Sequence, residues 1–199
     1  MKSNICKIDN STKDLEAILK ESEKVAVYNE LDRKQTLQLR LLCEEIDGML
    51  PNIVDRFNGE LWIEFEGGEC RVNVALRFDE FSAEKKADLI KLAKNKKNAA
   101  AAGVVGKIRS ALENFFLEPD NFGGGDMSLE SRYFVTKYCD PMEYACVWSL
   151  GSYVNSVKKE KKTEEWDELE RSVIASVADD VIVGVKGTRA DIIIVKKFA

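Results

Sequence analysis

The residues best suited to holding an anion follow one another closely: Gly103, Gly106, Lys107 and Arg109. A glycine-rich turn that opens a helix presents backbone N–H groups to phosphate, and a nearby lysine adds positive charge. The spacing differs from that of a P-loop, and no Ser or Thr follows the lysine. The alanines at 99–102 also predict that the helix has already begun. The sequence therefore favours close helix packing through small residues, with phosphate binding by Gly103, Gly106 and Lys107 as the alternative.

The segment before these residues is basic, with six lysines between Lys85 and Lys97. Such a cluster could meet RNA, an acidic protein or the phosphates of a nucleotide. A single-strand binder interleaves aromatic side chains on which bases stack, and none occurs between Phe81 and Phe115. We therefore do not expect a nucleic-acid partner, and a solvated helix face is the simpler interpretation.

The sequence contains no histidine. This removes imidazole acid–base catalysis, the Ser–His and Cys–His nucleophile pairs and histidine-ligated metals. The five cysteines include no C-x-x-C pair, which disfavours both a disulfide framework and a zinc site. We expect free thiols that pack as small apolar side chains, and no cofactor.

The composition is that of a globular protein, with 199 residues, 45% hydrophobic and 33% charged residues, and a formal net charge of −5. This length predicts one domain, residues 1–199, with a core that needs no disulfide or structural metal. The N-terminal residues contain no apolar secretion signal, and no segment approaches the roughly 20 apolar residues of a membrane span. We expect a cytoplasmic protein without a membrane partner.

Apolar periodicity predicts the order of helices and strands. Steps of three and four predict helices at 12–31, 36–57, 82–94, 98–117 and 164–178. Residues 142–158 fit both periods, and we interpret them as a helix. Alternation predicts a short strand at 5–8 and two hairpins, which turn at 66–69 and at 186–188. Asn58 and Gly59 predict a turn, Pro51 predicts a bend, and 118–141 predicts a long loop or lid.

Two blocks of sequence match a known arrangement. The predicted helix Leu39–Leu50 is followed by Gly59–Ile63, and Ile174–Val181 is followed by Gly187 and Thr188 ahead of the last strand. The first block resembles the N-box helix of the GHKL (Bergerat-fold, histidine-kinase-like) ATP-binding domains. The second resembles the end of the bacterial anti-sigma-factor serine kinases.

The resemblance implies an α/β (α+β) fold. It is expected to be a two-layer sandwich, in which helices cover one face of a mixed, mostly antiparallel sheet. Residues 79–163, which do not align, would form a divergent helical and loop insertion in the lid region.

The resemblance also implies a catalytic Glu and, one helical turn later, an Asn that binds Mg²⁺, because positions four apart share a helix face. Glu45 occupies the first position and Met49 the second; in the other register these are Glu44 and Gly48. A thioether or a hydrogen does not replace a hard oxygen ligand. The magnesium ligand is therefore missing in both registers.

The adenine side of the implied site is also incomplete. Asp79 stands near the position of the family's adenine-binding Asp, without the glycines that let backbone approach a nucleotide. Acidic residues at 164–168 replace the glycine-rich turn before the last helix and would repel phosphate. Thr188 matches the family, and a simple hairpin turn is its alternative interpretation.

These losses predict a degenerate GHKL-like regulatory or protein-interaction domain without ATP turnover, of the anti-sigma or partner-switching kind. Its partner would be another protein, and a homodimer stays open. The alternative is a divergent ATP-binding serine/threonine kinase, with Glu45 as the catalytic residue and Mg-ATP held by Asp79, Thr188 and the 103–109 segment. A scaffold unrelated to ATP binding is the third hypothesis.

Overall fold

The computed structural model describes residues 1–9, 15–53, 57–77, 104–109, 112, 146–160, 163–186 and 188–198. The strands are β1 (Cys6–Asp9), β2 (Asn58–Glu66), β3 (Glu69–Arg77), β4 (Cys146–Ser149), β5 (Asp180–Lys186) and β6 (Arg189–Lys197). The helices are α1 (Leu15–Tyr28), α2 (Arg33–Ile53), α3 (Leu150–Glu160), α4 (Thr163–Arg171) and α5 (Val173–Val177), and residues 104–109 are also helical.

The six strands form one sheet in the order β1-β2-β3-β6-β5-β4. Every neighbouring pair is antiparallel. The predicted α+β class is confirmed. The parallel pairing expected of a mixed sheet does not occur among these six described strands.

The hairpin between β2 and β3 turns at Gly67 and Gly68, as predicted. Both glycines have positive φ, at 58° and 80°, the conformation of a two-residue hairpin turn that L side chains rarely adopt. The predicted turn at Asn58 and Gly59 is wrong, because both residues lie within β2. A Cβ at Gly59 would lie 2.7 Å from the Ala75 carbonyl oxygen, so this glycine permits close strand pairing.

One face of the sheet forms one side of the hydrophobic core. The strand register aligns Leu61, Val74, Ile192 and Val183 across four strands, and each is at most 1% exposed. The apolar faces of α1 and α2 and the 104–112 segment join the same cluster. Their fully buried members are Ile18, Val25, Leu39, Leu42, Cys43, Ile46 and Ile108.

A short connection holds α1 against α2. Glu30 takes a positive φ of 54°, and Leu31 N–H donates to the Ala26 carbonyl at 3.0 Å, which closes α1 with a Schellman-type bond. Asp32 accepts from Gln35 N–H at 2.8 Å, and the Gln35 side chain accepts from Asp32 N–H at 2.9 Å. This capping box starts α2.

Two predicted helices differ from the structure. Residues 142–158 were expected to be helical, but 146–149 form β4, and α3 begins at Leu150. Ser149 acts as the N-cap at which the strand gives way to α3, because its hydroxyl accepts from Ser152 N–H at 3.2 Å. The predicted helix 164–178 is broken at Ser172, which has extended backbone and accepts from Ala175 N–H to start α5.

The structure also describes α2 and the last hairpin. Helix α2 extends from Arg33 to Ile53 and includes Pro51, so it begins earlier than expected. The hairpin at the end of the chain is confirmed. The predicted helix at 82–94 and the predicted loop at 118–141 lie outside the described residues.

Three cysteines in the described part of the chain are buried: Cys6, Cys43 and Cys70. Desolvation raises the pKa of the Cys70 thiol to about 12 and raises that of Cys43 as well. Cys43 and Cys70 are therefore protonated at neutral pH, which fits the packing role predicted for the cysteines.

Candidate functional site

The predicted catalytic carboxylate lies on a row of α2 side chains that passes from solvent into the core. Side chains four residues apart form a ridge inclined to the helix axis, so Arg33, Leu37, Leu41, Glu45 and Met49 wind around α2. Leu37 is 56% exposed, Leu41 and Glu45 are partly exposed, and Met49 is 3% exposed. Glu45 therefore lies at the boundary between the outer surface of α2 and the core.

The position one turn after this carboxylate contains no oxygen donor in either register. Met49 packs in the hydrophobic core cluster. In the other register Gly48 is exposed, and a Cβ there would meet nothing within 4 Å. Glu44, the carboxylate of that register, accepts from Arg40 Nε at 3.0 Å. The turn that would carry a magnesium ligand therefore offers a buried thioether or bare backbone.

The structure places Lys107 in a contact between three helices. Its Nζ lies 3.5 Å from Glu165 Oε1 on α4 and 5.2 Å from the ring centroid of Tyr153 on α3. The Tyr153 hydroxyl donates to Glu165 Oε2 at 3.3 Å. Gly106 is buried in the helical segment 104–109, and Gly103 lies outside the described residues. These contacts support the packing interpretation of Gly106 and Lys107 over phosphate binding.

The Lys107–Glu165 ion pair should contribute measurably to stability. We expect a double-mutant cycle of Lys107→Met and Glu165→Gln to give a coupling energy of about 0.5–1 kcal/mol, because both side chains are only partly exposed. Urea unfolding of the four proteins measures it, with exposed Glu164→Gln as the matched control. A coupling energy of zero would contradict this structural role.

Thr188 lies at an end of the sheet that carries several cations. It is exposed in the turn between β5 and β6. In the strand register, Lys186 of β5 lies opposite Arg189 of β6, and Arg189 lies opposite Arg77 of β3. Paired residues share a face of the sheet, and like charges directly opposite one another destabilise it. Arg189 Nε donates to Asp191 Oδ1 at 2.8 Å, which offsets part of this repulsion.

The remaining predicted residue, Asp79, lies outside the described residues. Strand β3 ends at Arg77, so the chain leaves the sheet at the end where Thr188 lies. In the described part of the chain, no hydrogen bond or ion pair joins Glu45, Lys107 and Thr188.

Sequence reasoning missed the buried carboxylate of Asp180, which is 5% exposed. Its Oδ1 accepts from Gly151 N–H at 3.0 Å, in the first turn of α3, and from Val181 N–H at 2.7 Å. Desolvation raises the pKa of Asp180, although these backbone donors favour the charged form. The only sequence signal was an acidic pair ahead of an apolar strand.

The stability contribution of Asp180 should depend on pH. Because its folded pKa lies above the ordinary value of about 3.9, the native state binds this proton more tightly than the unfolded chain does. Wild-type stability relative to Asp180→Asn should therefore fall as pH rises between the two pKa values and stay constant above them. Urea unfolding between about pH 3 and pH 7 measures this, with exposed Asp167→Asn as control. A relative gain by the wild type with rising pH would contradict it.

Comparisons with protein-family models, curated proteins and solved structures give no match to this chain. No group of three or more His, Cys, Asp or Glu side chains within the described ranges is placed to hold a metal ion. None of the helices described here has the length and apolar character needed to cross a bilayer.

Proposed function

We propose that this chain is a degenerate GHKL-like regulatory or protein-interaction domain that does not turn over ATP, comparable to anti-sigma or partner-switching proteins. One observation carries the proposal: Met49, at the position of the expected magnesium ligand, is a core residue that is 3% exposed. Mg²⁺ demands hard oxygen ligands in near-octahedral geometry, and a buried thioether provides none. Phosphoryl transfer on this scaffold would lack the metal ion that holds the phosphates and neutralises their charge.

The finer description of the fold belongs to the same proposal. Helices α1 and α2 contribute to one core cluster with the apolar face of the sheet, as a two-layer GHKL-like sandwich requires. Among the described strands, β3 ends at Arg77 and the next strand in the chain, β4, begins at Cys146. Residues 79–145 of this interval belong to the 79–163 segment that is expected to form the lid insertion of a single domain.

A second candidate function is the divergent ATP-binding serine/threonine kinase. The observation that favours it is that Thr188 is exposed beside Arg77, Arg189 and Lys186, because cations at this end of the sheet would attract an anionic nucleotide. In this hypothesis, Arg77→Glu would weaken nucleotide binding at least 10-fold.

Calorimetric titration with ATP, ADP and Mg-ATP, together with an assay for phosphate release, tests the proposal. We expect no hydrolysis above the rate of Glu45→Gln, the background control, and no magnesium-dependent gain in affinity. Mg-dependent hydrolysis by the wild type that Glu45→Gln abolishes would refute the proposal and favour the kinase hypothesis.

A further inference from the structure

The outer face of α2 carries a shallow apolar groove, here called the α2 groove. It is lined by Arg33, Lys34, Leu37, Gln38 and Leu41 and has a cavity volume of about 380 Å³. Leu37 is 56% exposed, although the opposite face of the same helix is fully buried in the core. An exposed apolar groove rimmed by polar side chains is typical of a protein interaction site.

The shape of the α2 groove suits another helix. It lies between two rows of side chains spaced four residues apart, Arg33–Leu37–Leu41 and Lys34–Gln38. A groove between such rows accepts the corresponding ridge of a second helix, with an interaxial angle of about −50°. The occupant that fits this geometry is therefore an α-helix with apolar residues at steps of three and four.

Two more apolar side chains are exposed at the end of α1. Val27 is 80% exposed and Tyr28 is 72% exposed. Arg40 binds Glu23 at 3.1 Å and so sets the register of α1 against α2. Val27 lies one turn after Glu23 in α1, and Leu37 lies about one turn before Arg40 in α2. Val27 and Leu37 are therefore both on the side of this ion pair that is nearer to the connection between the two helices.

The charge around the groove selects an acidic partner. Arg33 and Lys34 are both exposed, and neither has an ion-pair partner in the described part of the chain. They form a local positive patch on a protein with a formal net charge of −5. Anionic membranes usually attract clusters of about four to eight basic residues, and this patch has two.

We infer that the α2 groove binds an amphipathic helix of a partner protein, whose apolar ridge enters the groove and whose acidic side chains face Arg33 and Lys34. This inference deepens the proposed function and rests on it, because it assigns the interaction surface of the regulatory domain. Complementary charge would raise the association rate and fix the orientation of the bound helix.

Two synthetic helical peptides of about 18 residues test the inference. Both carry leucine at steps of three and four; one has glutamate beside the leucines, and the other has lysine. We expect the Leu/Glu peptide to shift the backbone amide NMR signals of residues 33–41, and the Leu/Lys peptide to bind at least 10-fold more weakly. Equal binding of both peptides, or shifts confined to other residues, would overturn the inference.

Surface variants locate the binding site without disturbing the core. Leu37→Ser should weaken binding of the Leu/Glu peptide at least 10-fold, whereas Ile5→Ser, at another apolar residue that is 53% exposed, should not. Lys34→Glu should reverse the preference between the two peptides. Circular dichroism confirms that each variant is folded. Unchanged affinity of Leu37→Ser would overturn the assignment of the groove.

Two other occupants are outcomes of the same experiment. Sedimentation that shows a wild-type dimer and a Leu37→Ser monomer would assign the groove to a second copy of this chain and overturn the inference. Binding to phosphatidylserine vesicles that Leu37→Ser abolishes would assign it to a membrane, with the same consequence. Failure of peptide binding leaves the absence of ATP turnover intact, whereas ATP hydrolysis refutes the proposed function whatever the peptides do.

Discussion

Met49→Asn should lower the free energy of unfolding by about 2–4 kcal/mol and should not create magnesium-dependent binding of ATP. The substitution restores the residue type that the GHKL resemblance implies at this position. The side chain, however, is 3% exposed and packs in the hydrophobic core cluster. An amide there loses apolar contacts and must be buried among groups that do not hydrogen bond.

Urea unfolding and calorimetric titration with Mg-ATP measure the two effects of Met49→Asn. The matched control is Leu37→Asn on the same helix, which should cost less than about 1 kcal/mol because this leucine is 56% exposed. A variant as stable as the wild type that gains affinity for Mg-ATP would show that this turn of α2 faces a nucleotide site. That result would contradict the proposed function.

Gly59→Ala should destabilise the protein by about 1–3 kcal/mol, which is large for the addition of one methyl group. The new Cβ would lie 2.7 Å from the Ala75 carbonyl oxygen, 3.0 Å from Leu76 Cδ2 and 3.2 Å from Ile8 Cγ1. The closest of these atoms belongs to the backbone of β3, so relief requires β2 to move away from its partner strand.

Gly48→Ala provides the matched control for Gly59→Ala. A Cβ at Gly48 meets nothing within 4 Å, and the residue lies inside α2, where alanine stabilises a helix by about 0.5–1 kcal/mol relative to glycine. Thermal and urea unfolding should therefore shift in opposite directions for the two variants. A Gly59→Ala protein as stable as the wild type would contradict the close approach of β2 and β3.

The sequence predicts those parts of the fold in which local pattern and tertiary contacts agree. Alternation on both sides of Gly67 and Gly68 predicts the first hairpin, because the turn and the strands need the same residues. Asn58 and Gly59 mislead, since a dipeptide typical of turns lies inside a strand whose register is decided by its neighbours. Ser172 interrupts a continuous helical period, and only the cap geometry reveals the break.

Sequence patterns did not reveal the outer apolar face of α2 or the contact that Lys107 makes. The core-facing positions of α2 dominate its periodicity, so Leu37 and Leu41, which have the same spacing on the outer face, were not recognised as a second stripe. Lys107 has the residue type of a phosphate ligand, but Glu165 binds it from a distant part of the chain. No local pattern encodes that contact.

The order of the strands affects how the protein folds during synthesis. The central pairing joins β3, which ends at Arg77, to β6, which begins at Arg189. The hairpin of β2 and β3 therefore leaves the ribosome long before its neighbour does, and until then β3 exposes unpaired backbone groups of the kind that template aggregation. Because ordering such a distant contact costs entropy before it gives any stabilisation, the nascent chain should depend on chaperones more than its modest size suggests.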